Sequence, residues 1–179
     1  MFPRKIFLIL KEQTEDRKIS LLLGPRQVGK TTLLKELEKE LSKTRKCLFL
    51  DMDILSNYEK VNTFESLLNT IRLQGYNEKQ KEFFYIFLDE FQKHPSLTTI
   101  MKNTYDNLKN IKIYASGSSS LAIKNQIQES LAGRKKITEI LPLDFEEFLM
   151  FKENTEQIFH LKNLHALAGE KLVPVLKGI

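Results

Sequence analysis

The segment Gly24-Pro25-Arg26-Gln27-Val28-Gly29-Lys30-Thr31-Thr32 follows the apolar run Ile19 to Leu23 directly and leads into Leu33, Leu34, Leu37 and Leu41, which recur at helical spacing. A buried strand, a loop bounded by glycines and then a helix make a phosphate loop of the form G-x-x-x-x-G-K-T. Gly24 and Gly29 let the backbone turn its amide N–H groups inward, and the helix presents its positive end. Lys30 reaches the terminal phosphates and Thr31 can hold Mg²⁺. All residues from Gly24 to Thr32 are therefore candidates for holding a nucleoside triphosphate.

Four more short apolar runs follow, Cys47 to Leu50, Phe84 to Leu88, Ile111 to Ala115 and Ile137 to Leu141, each of the kind that forms a buried parallel strand. Between them lie amphipathic helix patterns. One carries Phe64, Leu67, Leu68 and Ile71 behind an Asn62 to Glu65 capping pair, and another starts at Pro95 and carries Leu97, Ile100, Met101, Tyr105 and Leu108. Strand and helix alternate, so an α/β fold is expected, with a five-stranded parallel sheet covered by helices on both faces. Its ligand belongs at the carboxyl ends of the strands, where the loops after Leu23, Leu88 and Ala115 converge. After Pro142, Asp144 and Glu147 form a second capping box.

A chain of 179 residues suits one such domain. The net charge of +5 favours anionic ligands, but its 28 basic and 23 acidic residues are interspersed, so charge alone identifies no partner. Basic clusters at Lys43, Arg45 and Lys46 and at Arg134, Lys135 and Lys136 leave DNA contact possible, with no reading module beside them. The single cysteine, Cys47, excludes an intrachain disulfide and fits a reducing compartment. Ile6 to Leu10 is too short an apolar run for a signal peptide or a membrane span, so a cytoplasmic, membrane-free protein is expected.

Asp89 and Glu90 emerge at the tip of the Phe84 to Leu88 run. Beside a phosphate loop, the first acid can hold Mg²⁺ through its water shell and the second can deprotonate the attacking water. The chain has no D-x-x-G and no N-K-x-D segment, so guanine specificity is not expected and water is the expected acceptor, ahead of a metabolite. Ser116 to Ser120 follow the fourth run, and a serine there can contact the terminal phosphate. Ser116 and Ser118 are the candidates, and spacing does not choose between them. Arg134 precedes the last run and can neutralise charge on a γ-phosphate, in cis or in trans. The catalytic set is thus Lys30, Glu90, Ser118 and Arg134, with Thr31 and Asp89 for the metal. Asp51 and Asp53, past the second run, could face the same site, whereas His94, His160 and His165 are assigned no chemistry.

With the strings Leu88-Asp89-Glu90, Ser116-Gly117-Ser118-Ser119, Leu131-Ala132-Gly133-Arg134 and Leu141-Pro142-Leu143-Asp144-Phe145-Glu146-Glu147-Phe148-Leu149 added to the phosphate loop, the chain resembles the amino-terminal ATPase domain of prokaryotic AAA-superfamily ATP-binding proteins, close to the archaeal-type and STAND ATPases. The resemblance implies an additional-strand P-loop NTPase fold, a three-layer sandwich, with ATP and Mg²⁺ as ligands. It implies an ATPase domain over residues 1–151 and, over 152–179, the start of a truncated helical lid or linker, because similar proteins continue into a carboxy-terminal domain. The function expected is Mg²⁺-dependent ATP binding and hydrolysis that drives a conformational change. The alternative is a non-hydrolysing, ATP-dependent binding module for a protein or DNA partner, and a protein partner or a homo-oligomer suits either.

Overall fold

A computed structural model of the chain describes residues 4–152. Ile6–Leu141 forms one compact unit, while Arg4 and Lys5 group with the residues from Pro142 onward in a second. The expected lid or linker, together with His160 and His165, lies beyond Lys152 and so outside the described residues.

The larger unit is a parallel five-stranded sheet of β1 (Ile19–Leu23), β2 (Cys47–Asp51), β3 (Phe84–Asp89), β4 (Ile111–Gly117) and β5 (Lys135–Glu139), in the order β2-β3-β4-β1-β5. Alternation along the central strands sorts their side chains onto two faces. Leu21, Leu23, Ile86, Leu88, Ile113 and Ala115 join one core with residues of α4 (Phe64–Leu73), α5 (Ser96–Asn107) and α6 (Leu121–Ser130). Leu22, Tyr85, Phe87 and Tyr114 join the other with α1 (Lys5–Glu12) and α2 (Lys30–Leu41). The result is the expected three-layer α/β sandwich. A short helix, α3 (Leu55–Glu59), follows β2.

Sequence and structure part company at three boundaries. The helix α4 is capped one residue later than expected: Thr63 accepts from the Ser66 amide and Ser66 bonds back to the Thr63 N–H, both at 3.0 Å, so a serine hydroxyl closes the box in place of Glu65. Pro95 is the N-cap of α5, one position before its first helical residue. The last strand begins at Lys135, opposite Ile19, and not at Ile137. As an edge strand exposed along much of its length, β5 pairs through polar residues that apolar patterning cannot reveal.

In the smaller unit, Asp144 caps α7 (Phe145–Phe151) as expected. It accepts from the Glu147 amide at 2.7 Å, and its own N–H donates to Glu147 at 3.1 Å. Lys5 adds ion pairs to Asp144 (2.8 Å) and Glu146 (2.7 Å), and Arg4 adds one to Glu147 (3.2 Å).

Candidate functional site

Two backbone constraints shape the phosphate loop. Gly24 lies where β1 passes the end of β5: the Ile140 N–H donates to Leu23 O at 2.7 Å, and a Cβ on Gly24 would sit 2.1 Å from Ile140 O. Gly29 has φ of 91° and Gln27 has φ of 65°, so the chain turns twice through left-handed conformations before α2 begins at Lys30. No side chain caps α2, and its first turn holds no acid, which leaves the positive end of the helix open to an anion. Lys30 is buried, and its ammonium folds back onto the carbonyl oxygens of Gly24 (3.1 Å) and Pro25 (2.7 Å).

Beside the loop is a cleft of ≈ 460 Å³. Arg26, Gln27 and Thr31 line it from the loop, Asp51 and Asp53 from the end of β2, and Asp89, Glu90 and Lys93 from the end of β3. Thr31 and the Asp89–Glu90 pair thus share one space, as do Asp51 and Asp53, which the sequence left undecided. Lys93 pairs with Asp53 at 3.1 Å. Four carboxylates stand against two cationic side chains in this lining, a charge balance that would repel a bare polyphosphate and that a divalent cation would offset. Among the described residues no cluster of three or more His, Cys, Asp or Glu is arranged to hold a metal alone. A cation held by Thr31 and Asp89 would complete its shell with phosphate oxygens and water, the usual habit of Mg²⁺.

The structure separates the two serines. Ser116 is fully buried, its hydroxyl donates to Asp89 Oδ1, and it accepts from the Glu90 N–H at 3.2 Å. Ser118 is half-exposed and makes no such link, so the serine joined to the acid pair is Ser116, one turn of the pleat deeper than the Ser118 of the expected set. Glu90 itself has φ of 55°, and the short 3₁₀ turn Phe91–Lys93 follows it. Within that turn the Gln92 amide donates to Glu90 Oε2 at 2.5 Å. Sequence patterning did not single out Gln92. A glutamine next to an acid pair carries no signal until the left-handed residue before it is known.

Arg134 is not brought to the cleft. Its carbonyl accepts from the Ile19 N–H at 2.8 Å, so it stands at the amino end of β1, about 16 Å of strand away from the phosphate loop. Its guanidinium makes a bidentate pair with Asp106 (2.7 and 3.0 Å), which raises the Arg134 pKa and lowers that of Asp106. The cis half of the expectation for Arg134, that it serves a phosphate within its own chain, is thereby corrected: a residue preceding a parallel strand lies at the amino ends of the strands, opposite the ligand. The other members of that basic run are also engaged, Lys135 with Ile127 O at 3.0 Å and Lys136 with Asp16 at 3.2 Å. His94 stacks on Tyr58 with ring centroids 3.6 Å apart and contacts Met52 O at 3.1 Å, a packing role. Burial pushes the Cys47 thiol up to about 12, which keeps it protonated and inert.

A phosphate-loop sequence on a parallel sheet of this order, with an acid pair at the tip of a nearby strand, is the architecture of a P-loop NTPase domain. The chain belongs to the AAA domain family, whose model matches residues 16–149. It is 36% identical over 141 residues to the uncharacterized protein MJ1544 of Methanocaldococcus jannaschii and 30% identical over 155 residues to MJ1637 of the same organism. These matches take in 75% and 82% of this chain but 29% and 32% of those proteins, so the chain spans under a third of the length of the relatives it matches. Among solved structures it resembles the Walker-type ATPase PABY2304 of Pyrococcus abyssi, with TM-score 0.59, 20% identity, and coverage of 86% of this chain and 57% of that one. It also resembles the Aeropyrum pernix ORC1 protein in complex with DNA, with TM-score 0.58, 14% identity, and coverage of 87% and 50%. At these identities the likeness is one of fold. Among the described residues no helix is long and apolar enough to cross a membrane.

Proposed function

We propose that residues 1–151 bind ATP with Mg²⁺ and hydrolyse it, and that the state of the nucleotide repositions the loops after β3 and β4. The observation that supports this best is the shared cleft, in which Thr31 and the Asp89–Glu90 pair face one another beside an uncapped helix end. Lys30 exchanges its bonds to Gly24 O and Pro25 O for phosphate oxygens, and the amides of the loop and of the first turn of α2 take the rest of the polyphosphate charge. Thr31 and Asp89 are the residues for the cation, which when bound offsets charge on the β- and γ-phosphates. Ser116 orients Asp89 through its hydroxyl and receives the Glu90 N–H, so a change at either acid is felt at β4. Glu90 takes the proton from the attacking water. Replacing Lys30 by alanine should abolish ATP binding, measured with a fluorescent ATP analogue, and chelation of Mg²⁺ should stop turnover. Undiminished binding by Lys30→Ala would refute this use of the loop.

One observation favours a second function, an ATP-dependent binding module that does not hydrolyse. The guanidinium expected to neutralise the transferring phosphate is held by Asp106 at the far end of the sheet, so a lone chain lacks it. The fold neighbour from Aeropyrum pernix is described in complex with DNA, which makes DNA one partner to test, and a second copy that lends Arg134 in trans is another. ATP that stays bound and intact for hours in a single-turnover assay, at every protein concentration, would favour the binding module.

A further inference from the structure

We infer that Gln92 is the positioning residue that holds the Glu90 carboxylate for proton transfer. This rests on the hydrolytic function proposed above. Glu90 stands in a left-handed conformation, φ 55° and ψ 39°, and the 3₁₀ turn that follows is closed by the Lys93 N–H on Glu90 O at 3.1 Å. That reversal carries Gln92 back over Glu90, two residues earlier. Between them Phe91 is buried in the core at 1% exposure, so the turn is anchored through its middle residue. The Gln92 amide nitrogen donates to Glu90 Oε2 at 2.5 Å, a donation to a charged acceptor, the stronger class of hydrogen bond.

The other end of the amide makes the orientation one-way. Gln92 Oε1 is buried and has no hydrogen-bond partner among the described residues. It packs where a Cβ on Gly117 would stand, 2.8 Å away, so the glycine that ends β4 leaves room for it. Rotating the amide would set its oxygen against the carboxylate. Gln92 therefore fixes Oε2 by donation and leaves Glu90 Oε1 as the free proton acceptor on the cleft wall. A base held by a third group recurs wherever a side chain must take a proton in a set direction.

The test uses Gln92→Leu, which removes the donor at similar volume, and Gln92→Glu, which keeps the shape but puts a carboxylate against Glu90. Folding is checked by thermal unfolding, ATP affinity with a fluorescent analogue, and turnover with Mg-ATP. Gln92→Leu should lose roughly tenfold or more in kcat, with KM and affinity changed less than about twofold, and Gln92→Glu should lose at least as much in kcat. In a Glu90→Gln background, Gln92→Leu should cost nothing further, because the amide acts only through that carboxylate. Wild-type kcat in Gln92→Leu, or a loss that multiplies with that of Glu90→Gln, would overturn the assignment. If the wild-type chain binds ATP but shows no Glu90-dependent turnover, the hydrolytic function itself falls, and the assignment with it.

Discussion

Ser116 donates its hydroxyl proton to Asp89 across the β3 and β4 pairing, with both side chains all but fully buried. Because the same oxygen accepts the Glu90 N–H, one hydroxyl satisfies two groups of the acid pair. Removing it strands a buried carboxylate oxygen and an amide, at a cost of about 1–3 kcal/mol. Ser116→Ala should thus lower the urea midpoint measurably and weaken Mg-ATP binding. Ser118→Ala should stay within about 0.5 kcal/mol of wild type, as a half-exposed residue without those bonds. The reverse ranking would show that the serine loop works through Ser118.

The two glycines of the phosphate loop fail differently when given a side chain. At Gly29 an added Cβ meets nothing within 4 Å, and only the left-handed φ of 91° opposes it, so Gly29→Ala should cost about 1–3 kcal/mol. At Gly24 the Cβ would strike the backbone of Ile140, which is itself hydrogen-bonded to Leu23 and cannot yield without moving β5. Gly24→Ala should be the more destabilising of the two by denaturant unfolding, and the more damaging to ATP binding. Equal midpoints would mean that β5 gives way freely.

The same contrast shows what patterning could reveal. The phosphate loop, three internal strands and the Asp144 to Glu147 box were legible because strand, turn and cap each use residue types that have few other uses. The loop identified Gly24 as required, but not that the reason is a backbone 2.1 Å away in β5, since that contact exists only once the sheet is assembled. Patterning offers Asn62 with Glu65 as readily as Thr63 with Ser66, because the adjacent candidates differ by one residue and geometry alone chooses. Residue type points Arg134 toward the phosphate, whereas its position before a parallel strand puts it at the amino ends of the strands, away from the loop. Gln92 and Ser116 act through short contacts between neighbouring strand ends, to which sequence spacing is blind.

Lys112, at the start of β4, is fully buried, with its ammonium 2.8 Å from Ser20 Oγ and 4.8 Å from the Tyr114 ring centroid. Burial drives its pKa down from 10.5 to about 7; Asp16 opposes the shift and Lys136 adds to it. The unfolded chain keeps that proton to about pH 10.4. Between about pH 7 and 10 the unfolded state therefore binds more protons than the folded one, and stability rises with pH. Below about pH 7 both states are protonated and the desolvation cost is present in full. Urea unfolding should show stability increasing from about pH 7 to about pH 9, and Lys112→Met should lack that increase. A flat wild-type profile would mean that the ammonium is not destabilised by burial.

The measurement closest to the central claim is a single-turnover assay comparing the wild-type chain with Glu90→Gln at equal Mg-ATP occupancy. Loss of a general base predicts that the variant keeps its ATP affinity and converts ATP to ADP roughly 10²-fold more slowly or worse. Equal rates in the two proteins would contradict the assignment of Glu90, and with it the account of the cleft as a site of hydrolysis.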